Sequence, residues 1–284
     1  MDGPTTILSE GAYYIAEVLD ALGWGEFATA KDDTKNDDDG DDDDDNDNDN
    51  KVILVGHSMG GGMAVTYAGV FPEQISHVVS LDMMGPEPGT PKDAAAHIRS
   101  HVIHRRAFGP PGRPHSLYPS LERAIERRMK SARMAPGGHQ YLSLEASTEL
   151  VTRSTMPVYE RVDGEKEERL QGYRFRHDAR LMWPSLQYLT AEQIESILGR
   201  VECRVCLLAA EDGYPFQQDR IDRAVAGLEP DMYEVLPGSH HFHADPDTAG
   251  AVVDKISEFL GTSSNRAKPK AKASYETLAH YGMQ

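Results

Sequence analysis

The chain has 284 residues, of which 39% are hydrophobic and 26% are charged, and its formal net charge is −17. This length and apolar content are sufficient for one large globular core. No apolar run is long enough to span a membrane, and residues 1–11 lack the basic and apolar segments of a signal peptide. We therefore expect a cytoplasmic protein that neither spans a membrane nor binds nucleic acid.

An acidic tract accounts for most of the net charge. Residues 31–50 contain twelve Asp and two Lys, and so carry ten of the 17 net negative charges. Such a segment cannot bury apolar surface and repels itself, which predicts a disordered insertion. A calcium-binding loop is the specific alternative, but Lys35 stands where a loop centred on Gly40 needs its first carboxylate.

The first half of the patterned chain predicts alternating helices and strands. Residues 9–24 place apolar side chains at helical spacing, which indicates an amphipathic helix. Residues 52–55 read VILV and predict a buried strand, residues 59–70 predict a helix, and residues 77–84 predict a second buried strand. Two strands that flank a helix indicate a βαβ unit with a parallel sheet.

From about residue 85 to residue 189, helical patterns replace the alternation of strands and helices. Strand patterns return at 204–210 and 232–237. The sequence therefore predicts an α/β fold with a partial parallel sheet of four recognisable strands and an inserted helical cap. The expected units are an N-terminal helix of the core at 1–30, a disordered Asp-rich insertion at 31–50, a core segment at 51–84, a helical cap at 85–189, the C-terminal half of the core at 190–260 and a flexible tail at 261–284.

A glycine-rich turn between the first strand and its helix carries the candidate nucleophile. Residues 56–60 read GHSMG and match the G-x-S-x-G pattern of a nucleophile elbow, in which a tight turn presents the serine hydroxyl above the sheet. Ser58 is therefore the predicted nucleophile, and the N–H of Met59 at the helix start is predicted to stabilise an oxyanion. The simpler interpretation is a helix N-terminus that binds an anion.

A serine hydroxyl needs a base and an acid, which we expect at the carboxyl ends of later strands. Glu211 and Asp212 follow the third predicted strand, and His240 and His241 follow the fourth. We predict Asp212 as the acid, with Glu211 as alternate, and His240 as the base, with His241 as alternate. The resulting order of Ser, Asp and His is that of an α/β-hydrolase triad.

Histidines at 240, 241 and 243 also raise the question of a metal site, because imidazole is the commonest metal ligand. A zinc site needs three or four convergent ligands, whereas adjacent residues point apart in an extended loop. A second set shares one face of the first predicted helix of the cap and consists of His97, His101 and His104. With no acidic partner near that set, the sequence predicts no metal and no cofactor.

Three stretches resemble the α/β-hydrolase superfamily, namely GHSMGG at 56–61, AEDG at 210–213 and PGSHHFH at 237–243. More narrowly, the chain is similar to the serine hydrolase-like proteins, which are relatives of haloalkane dehalogenases and epoxide hydrolases. The resemblance implies the same nucleophile, acid and base. Because those relatives carry aspartate at the elbow, Ser58 implies hydrolysis of a small ester, thioester or amide through an acyl-enzyme.

The resemblance also implies four strands before the first helix, with an HG-type loop that donates the second oxyanion N–H. The sequence begins at that helix, so we expect an amino-terminally truncated family member in which the strand at 52–55 is an uncovered edge. Two hypotheses follow. One is a capped serine hydrolase, and the other is a catalytically impaired fragment that acts as a binding or vestigial module.

Overall fold

The computed structural model describes residues 7–24, 51–107, 116–133, 140–161, 168–178, 181 and 183–261. The predictions of a disordered insertion at 31–50 and of a flexible tail beyond residue 261 lie outside these residues. No helix within the described ranges is both long enough and apolar enough to cross a membrane.

A parallel sheet of four strands forms the centre of the described structure, with the strand order β1-β2-β5-β6. Its strands are β1 (Val52–His57), β2 (Ile75–Leu81), β5 (Arg204–Asp212) and β6 (Met232–Ser239). Every neighbouring pair in this sheet is parallel. The predicted α/β fold with four parallel strands is confirmed.

Helices cover both faces of the sheet. They are α1 (Ile7–Leu22), α2 (Met59–Val70), α6 (Ala191–Leu198), α7 (Gln218–Leu228) and α8 (Pro246–Gly261). Successive residues of a strand point to opposite faces, so Val78 packs with the core group that contains Tyr67 of α2, and Val79 packs with the group that contains Phe259 of α8. This double coverage is why successive residues of the central strands β2 and β5 are buried on both faces.

The inserted segment, residues 85–189, contains both helices and strands. Its elements are α3 (Ala94–Ala107), α4 (Leu121–Arg133), α5 (Leu144–Ser154), β3 (Thr155–Arg161) and β4 (Glu168–Phe175). The last two form an antiparallel pair, so the segment predicted as a helical cap also contains strands that the sequence did not predict. The strand pattern is weak because most side chains of β3 and β4 are exposed and many are charged.

Strand β1 lies at one end of the described sheet, as the sequence led us to expect. Val55 is 54% exposed, whereas its register partner Val79 on β2 is fully buried. Ile53 on the same strand is 45% exposed. The described sheet therefore has an apolar edge beside the candidate nucleophile.

Candidate active site

The turn between β1 and α2 holds Ser58 in a rare backbone conformation. Its φ is 52° and its ψ is −124°, a combination that L residues seldom adopt and that is typical of functional turns. Its N–H donates to the carbonyl of Leu81 at 2.9 Å, which fixes the turn to the end of β2. A Cβ at Gly56 or at Gly61 would collide with neighbouring atoms, whereas a Cβ at Gly60 would meet none.

Asp82 follows β2 directly and is almost completely buried, with 1% of its surface exposed. Its Oδ1 accepts the N–H of Ala210 at 3.0 Å, and its Oδ2 accepts the N–H of Tyr214 at 2.8 Å. Its own N–H donates to the carbonyl of Leu208 at 2.7 Å. Backbone donors from the end of β5 therefore hold the carboxylate in one position.

His240 completes a buried hydrogen-bonded pair. Its Nδ1 donates to Asp82 Oδ2 at 2.5 Å, and the side chains of both residues are buried. With the proton on Nδ1, the other ring nitrogen, Nε2, carries a lone pair. This is the state in which an imidazole can accept a proton from a serine hydroxyl.

The structure brings Asp82, and not the predicted acid Asp212, into contact with His240. Both Asp212 and its alternate, Glu211, are exposed at the end of β5. The turn after β5 contributes backbone donors and a glycine instead, because a Cβ at Gly213 would collide with the carboxylate of Asp82. The sequence predicts a strand over 77–84 that includes Asp82, whereas β2 ends at Leu81. With the strand end at Leu81, the rule that selected Asp212, a carboxylate at the carboxyl end of a buried strand, also selects Asp82.

His57, inside the elbow motif, is a site residue that the sequence interpretation missed. Its Nε2 donates to the carbonyl of His240 at 2.7 Å, and the two rings are 4.5 Å apart between centroids. Burial lowers the pKa of His57 to about 3, so the ring is neutral near pH 7. The elbow therefore positions the loop that carries His240 as well as the nucleophile.

The alternate base, His241, faces away from the Asp82 carboxylate and towards the inserted segment. Its Nε2 accepts a hydrogen bond from Arg128 Nη2 of α4 at 3.2 Å. Burial, together with the neighbouring His57 and Arg128, lowers the pKa of His241 to about 2. His241 is therefore neutral and its lone pair is engaged, which leaves His240 as the better base.

The two sets of histidines singled out in the sequence, one in the loop after β6 and one on α3, are arranged differently in the structure. His240 and His241 do point to different partners, but nitrogen atoms of His57, His241 and His243 all lie within 4.8 Å of one another. The second set makes separate contacts, since His101 Nδ1 donates to the Pro184 carbonyl, His104 Nδ1 donates to the Ser100 carbonyl and His97 packs against Tyr188.

The candidate nucleophile and the candidate base are not hydrogen-bonded to each other in the described structure. Within the described residues, the structure records no hydrogen bond from the Ser58 hydroxyl to His240. Catalytic hydrogen bonds are often long before substrate binds, so this geometry is compatible with catalysis. Met59 begins α2, and the first N–H groups of a helix have no partner within it. The Met59 N–H is therefore available to an oxyanion.

A nucleophile elbow and a buried Asp–His pair at the carboxyl ends of a parallel sheet define a site of the α/β-hydrolase class. The family described as "Alpha/beta hydrolase family" matches residues 5–255, and the chain belongs to this family.

Two curated proteins that are similar to the chain are named serine hydrolase-like proteins. The chain is 28% identical over 221 residues to a serine hydrolase-like protein of Danio rerio, a match that covers 74% of this chain and 61% of that protein. It is 27% identical over 218 residues to a serine hydrolase-like protein of Dictyostelium discoideum, covering 73% and 55% respectively. The chain thus spans little more than half the length of these curated relatives.

A solved structure of a hypothetical protein from Pseudomonas aeruginosa PAO1 is similar over most of the chain. The two are 27% identical with a TM-score of 0.67, and the match covers 92% of this chain and 77% of that protein. The crystal structure of E-2-(acetamidomethylene)succinate hydrolase has a TM-score of 0.52 at 17% identity, which indicates a shared fold.

Proposed function

We propose that the chain is a serine hydrolase that cleaves small esters, thioesters or amides, with Ser58 as nucleophile, His240 as base and Asp82 as acid. The observation that carries the proposal is the buried hydrogen bond of 2.5 Å between His240 Nδ1 and Asp82 Oδ2. It lies beside a serine that the elbow holds in a strained turn. The names of the curated relatives agree with this assignment.

The proposed reaction is two-step acyl transfer. Ser58 Oγ attacks the acyl carbon of the substrate while His240 Nε2 takes the hydroxyl proton, and a tetrahedral intermediate forms. The same nitrogen then protonates the leaving alcohol, thiol or amine, and an acyl-enzyme remains. A water molecule repeats the sequence, with the leaving serine oxygen recovering its proton from His240.

Two groups held in fixed positions stabilise the charges that develop during the proposed reaction. The carboxylate of Asp82 holds the imidazole in the correct tautomer and stabilises the imidazolium that forms when His240 is protonated. Because two backbone N–H groups also bind that carboxylate, it need not reorganise during the reaction. The N–H of Met59 and the positive end of α2 stabilise the oxyanion, and one such donor contributes about 10²–10³ in rate.

We also propose that the inserted segment acts as a cap over the site. Arg128 of α4 contacts His241, and the carbonyl of Tyr141 accepts a hydrogen bond from Ser239 Oγ at 2.7 Å. The N–H of Ser143 donates to Asp245 Oδ1 at 3.1 Å. The segment therefore lies against the loop that carries the base, where it can shape the pocket for a small acyl substrate.

Labelling with a fluorophosphonate probe tests the proposal directly. The chain of 284 residues should be modified at Ser58, and Ser58→Ala should abolish both the label and the hydrolysis of p-nitrophenyl acetate, a loss of at least about 10³-fold. The matched control is Ser257→Ala on the exposed side of α8, which should retain both. Peptide mapping of the labelled protein identifies the modified serine.

A cooperatively folded protein that is neither labelled nor active on any ester or thioester tested would contradict the proposal. That outcome would favour the alternative, a non-catalytic binding module that retains the family fold. Circular dichroism and a cooperative thermal transition establish that the protein is folded before the labelling result is interpreted.

A further inference from the structure

Three histidines beside the catalytic pair form a group that the proposed reaction does not use. His57 comes from the elbow, and His241 and His243 come from the loop after β6. One nitrogen of each lies within 4.8 Å of the others, and the ring of His57 is 4.1 Å from that of His243 between centroids. In a tetrahedral site with zinc–nitrogen bonds of about 2.0 Å, ligand nitrogens are about 3.3 Å apart. Modest rotations of the three imidazole rings would bring their nitrogens from within 4.8 Å of one another to the separation of about 3.3 Å that the ion requires.

His57 makes the kind of hydrogen bond that a metal-binding histidine makes with its second ring nitrogen. Its Nε2–H donates to the carbonyl of His240 at 2.7 Å, which leaves the lone pair on Nδ1. Histidines that bind metals usually donate their other ring N–H to a carbonyl or carboxylate, because this fixes the tautomer and the direction of the lone pair. His57 is therefore oriented for ligation before any ion arrives.

His243 supplies an independent indication. Its Nδ1 is buried and has no hydrogen-bond partner in the structure. A buried polar atom without a partner costs free energy, and such atoms in folded proteins call for an explanation such as an ion. Burial and the neighbouring His240 lower the pKa of His243, while the carboxylates of Asp245 and Asp82 oppose this shift, so negative charge that attracts a cation lies near the ring.

Arg128 opposes metal binding in the present arrangement. Its guanidinium donates to His241 Nε2 and thereby engages the lone pair that an ion would need. It also brings a positive charge next to the site. An ion can use His241 only when the Arg128 side chain moves away, and this side chain belongs to the inserted segment.

We propose that His57, His241 and His243 bind a divalent transition-metal ion of the kind that prefers imidazole, with Zn²⁺ as the test case, and that the ion displaces Arg128. Neutral imidazoles suit Zn²⁺, Cu²⁺ and Ni²⁺ and do not suit Mg²⁺ or Ca²⁺, which prefer oxygen. The bound ion would join the elbow to the loop of His240. If the proposed function holds, the ion inhibits hydrolysis, because it fixes both loops and places charge beside the base.

Calorimetric titration of the full chain with Zn²⁺ tests the site independently of activity. The titration is run in excess Mg²⁺, because the twelve Asp of residues 31–50 offer carboxylate oxygens to any cation. We expect one saturable site that His243→Gln and His57→Gln each weaken by at least about 100-fold, which is the upper end of what outer contacts contribute. The matched control, His97→Gln, should change the affinity less than threefold.

Two further measurements keep the proposal open to contradiction. Arg128→Met removes the competing donor and charge, and should tighten Zn²⁺ binding at least tenfold. Substitution of Co²⁺ should give the visible absorption of a four-coordinate site with nitrogen ligands, and this absorption should be lost in His243→Gln. Unchanged Zn²⁺ binding in the two histidine variants would overturn the proposal, as would the absence of saturable binding up to about 1 mM.

Discussion

Asp82 directly follows β2 and Asp212 is the last residue of β5, and these two carboxylates have opposite environments at the same edge of the sheet. Asp82 is 1% exposed and accepts hydrogen bonds from two backbone N–H groups and from His240. Asp212 is exposed. The difference shows that a position at a strand end does not by itself bring a carboxylate to His240. In the proposed mechanism, burial among preorganised backbone donors of the neighbouring strand end distinguishes the carboxylate that orients the imidazole.

The largest expected effect separates these two carboxylates directly. Asp82→Asn should lower kcat for p-nitrophenyl acetate by about 10⁴-fold, because an amide oxygen stabilises the imidazolium poorly and the amide favours the wrong tautomer. Asp212→Asn should change kcat less than about threefold, since an exposed turn carboxylate contributes little at a distance.

Steady-state kinetics of the two variants, with their thermal transitions as a folding control, measures the effect. A large loss in Asp212→Asn together with an active Asp82→Asn would restore the assignment made from the sequence. Equal losses in both would indicate that the two carboxylates act on one hydrogen-bond network.

An intermediate effect is expected at the turn after β5, which supports Asp82 without supplying the acid. Gly213→Ala would force a Cβ into the Asp82 carboxylate and displace it. We expect kcat to fall by about 10²-fold, which is typical of a misplacement near 1 Å, and stability to fall by about 1–3 kcal/mol.

The control for this substitution is Gly250→Ala in α8, where an added Cβ would meet no atom. It should leave kcat unchanged and raise stability by about 0.5–1 kcal/mol, because alanine favours the helix. Urea unfolding followed by circular dichroism gives both stabilities. An active and stable Gly213→Ala would show that the packing against Asp82 is loose.

The smallest effects are expected in the strands that precede the site. Val55 and Val79 are register partners, but only Val79 is buried. Val79→Thr on β2 should lower stability by about 1–3 kcal/mol, because a hydroxyl replaces a methyl group in a dry core. Val55→Thr on β1 should stay within about 0.5 kcal/mol.

Urea midpoints of these two valine variants measure the difference. A Val55→Thr variant as unstable as Val79→Thr would mean that β1 is covered in solution. The comparison therefore also tests whether the apolar edge of the described sheet is free, and it does so without reference to activity.

The fold was predictable from the sequence because its signals are local. Apolar runs such as VCLLAA at 205–210, and the glycine pattern around Ser58, reflect strand burial and a tight turn at their own positions. The choice of acid depended on which of several strand ends is buried, and that is a property of the assembled sheet. The β3–β4 pair was missed because its side chains are mostly exposed, so no apolar alternation marks it.

The role of His57 was hidden for a different reason. Its partner is a backbone carbonyl of His240, 183 residues away in the chain, and a carbonyl leaves no trace in the sequence. The ring of His57 joins the histidines at 241 and 243 from the elbow, which is distant in sequence. Sequence spacing within the loop could therefore indicate divergence of neighbours, but it could not reveal convergence on a distant residue.

The hydrogen bonds described above connect the inserted segment to the loop that carries His240, and not to the turn that carries Ser58. Arg128 contacts His241, the carbonyl of Tyr141 binds Ser239, and the N–H of Ser143 binds Asp245. In the proposed mechanism, a movement of the segment that admits substrate pulls on the residues that flank His240. Substrate entry and alignment of the imidazole are then coupled, and the open form of the molecule is catalytically inactive.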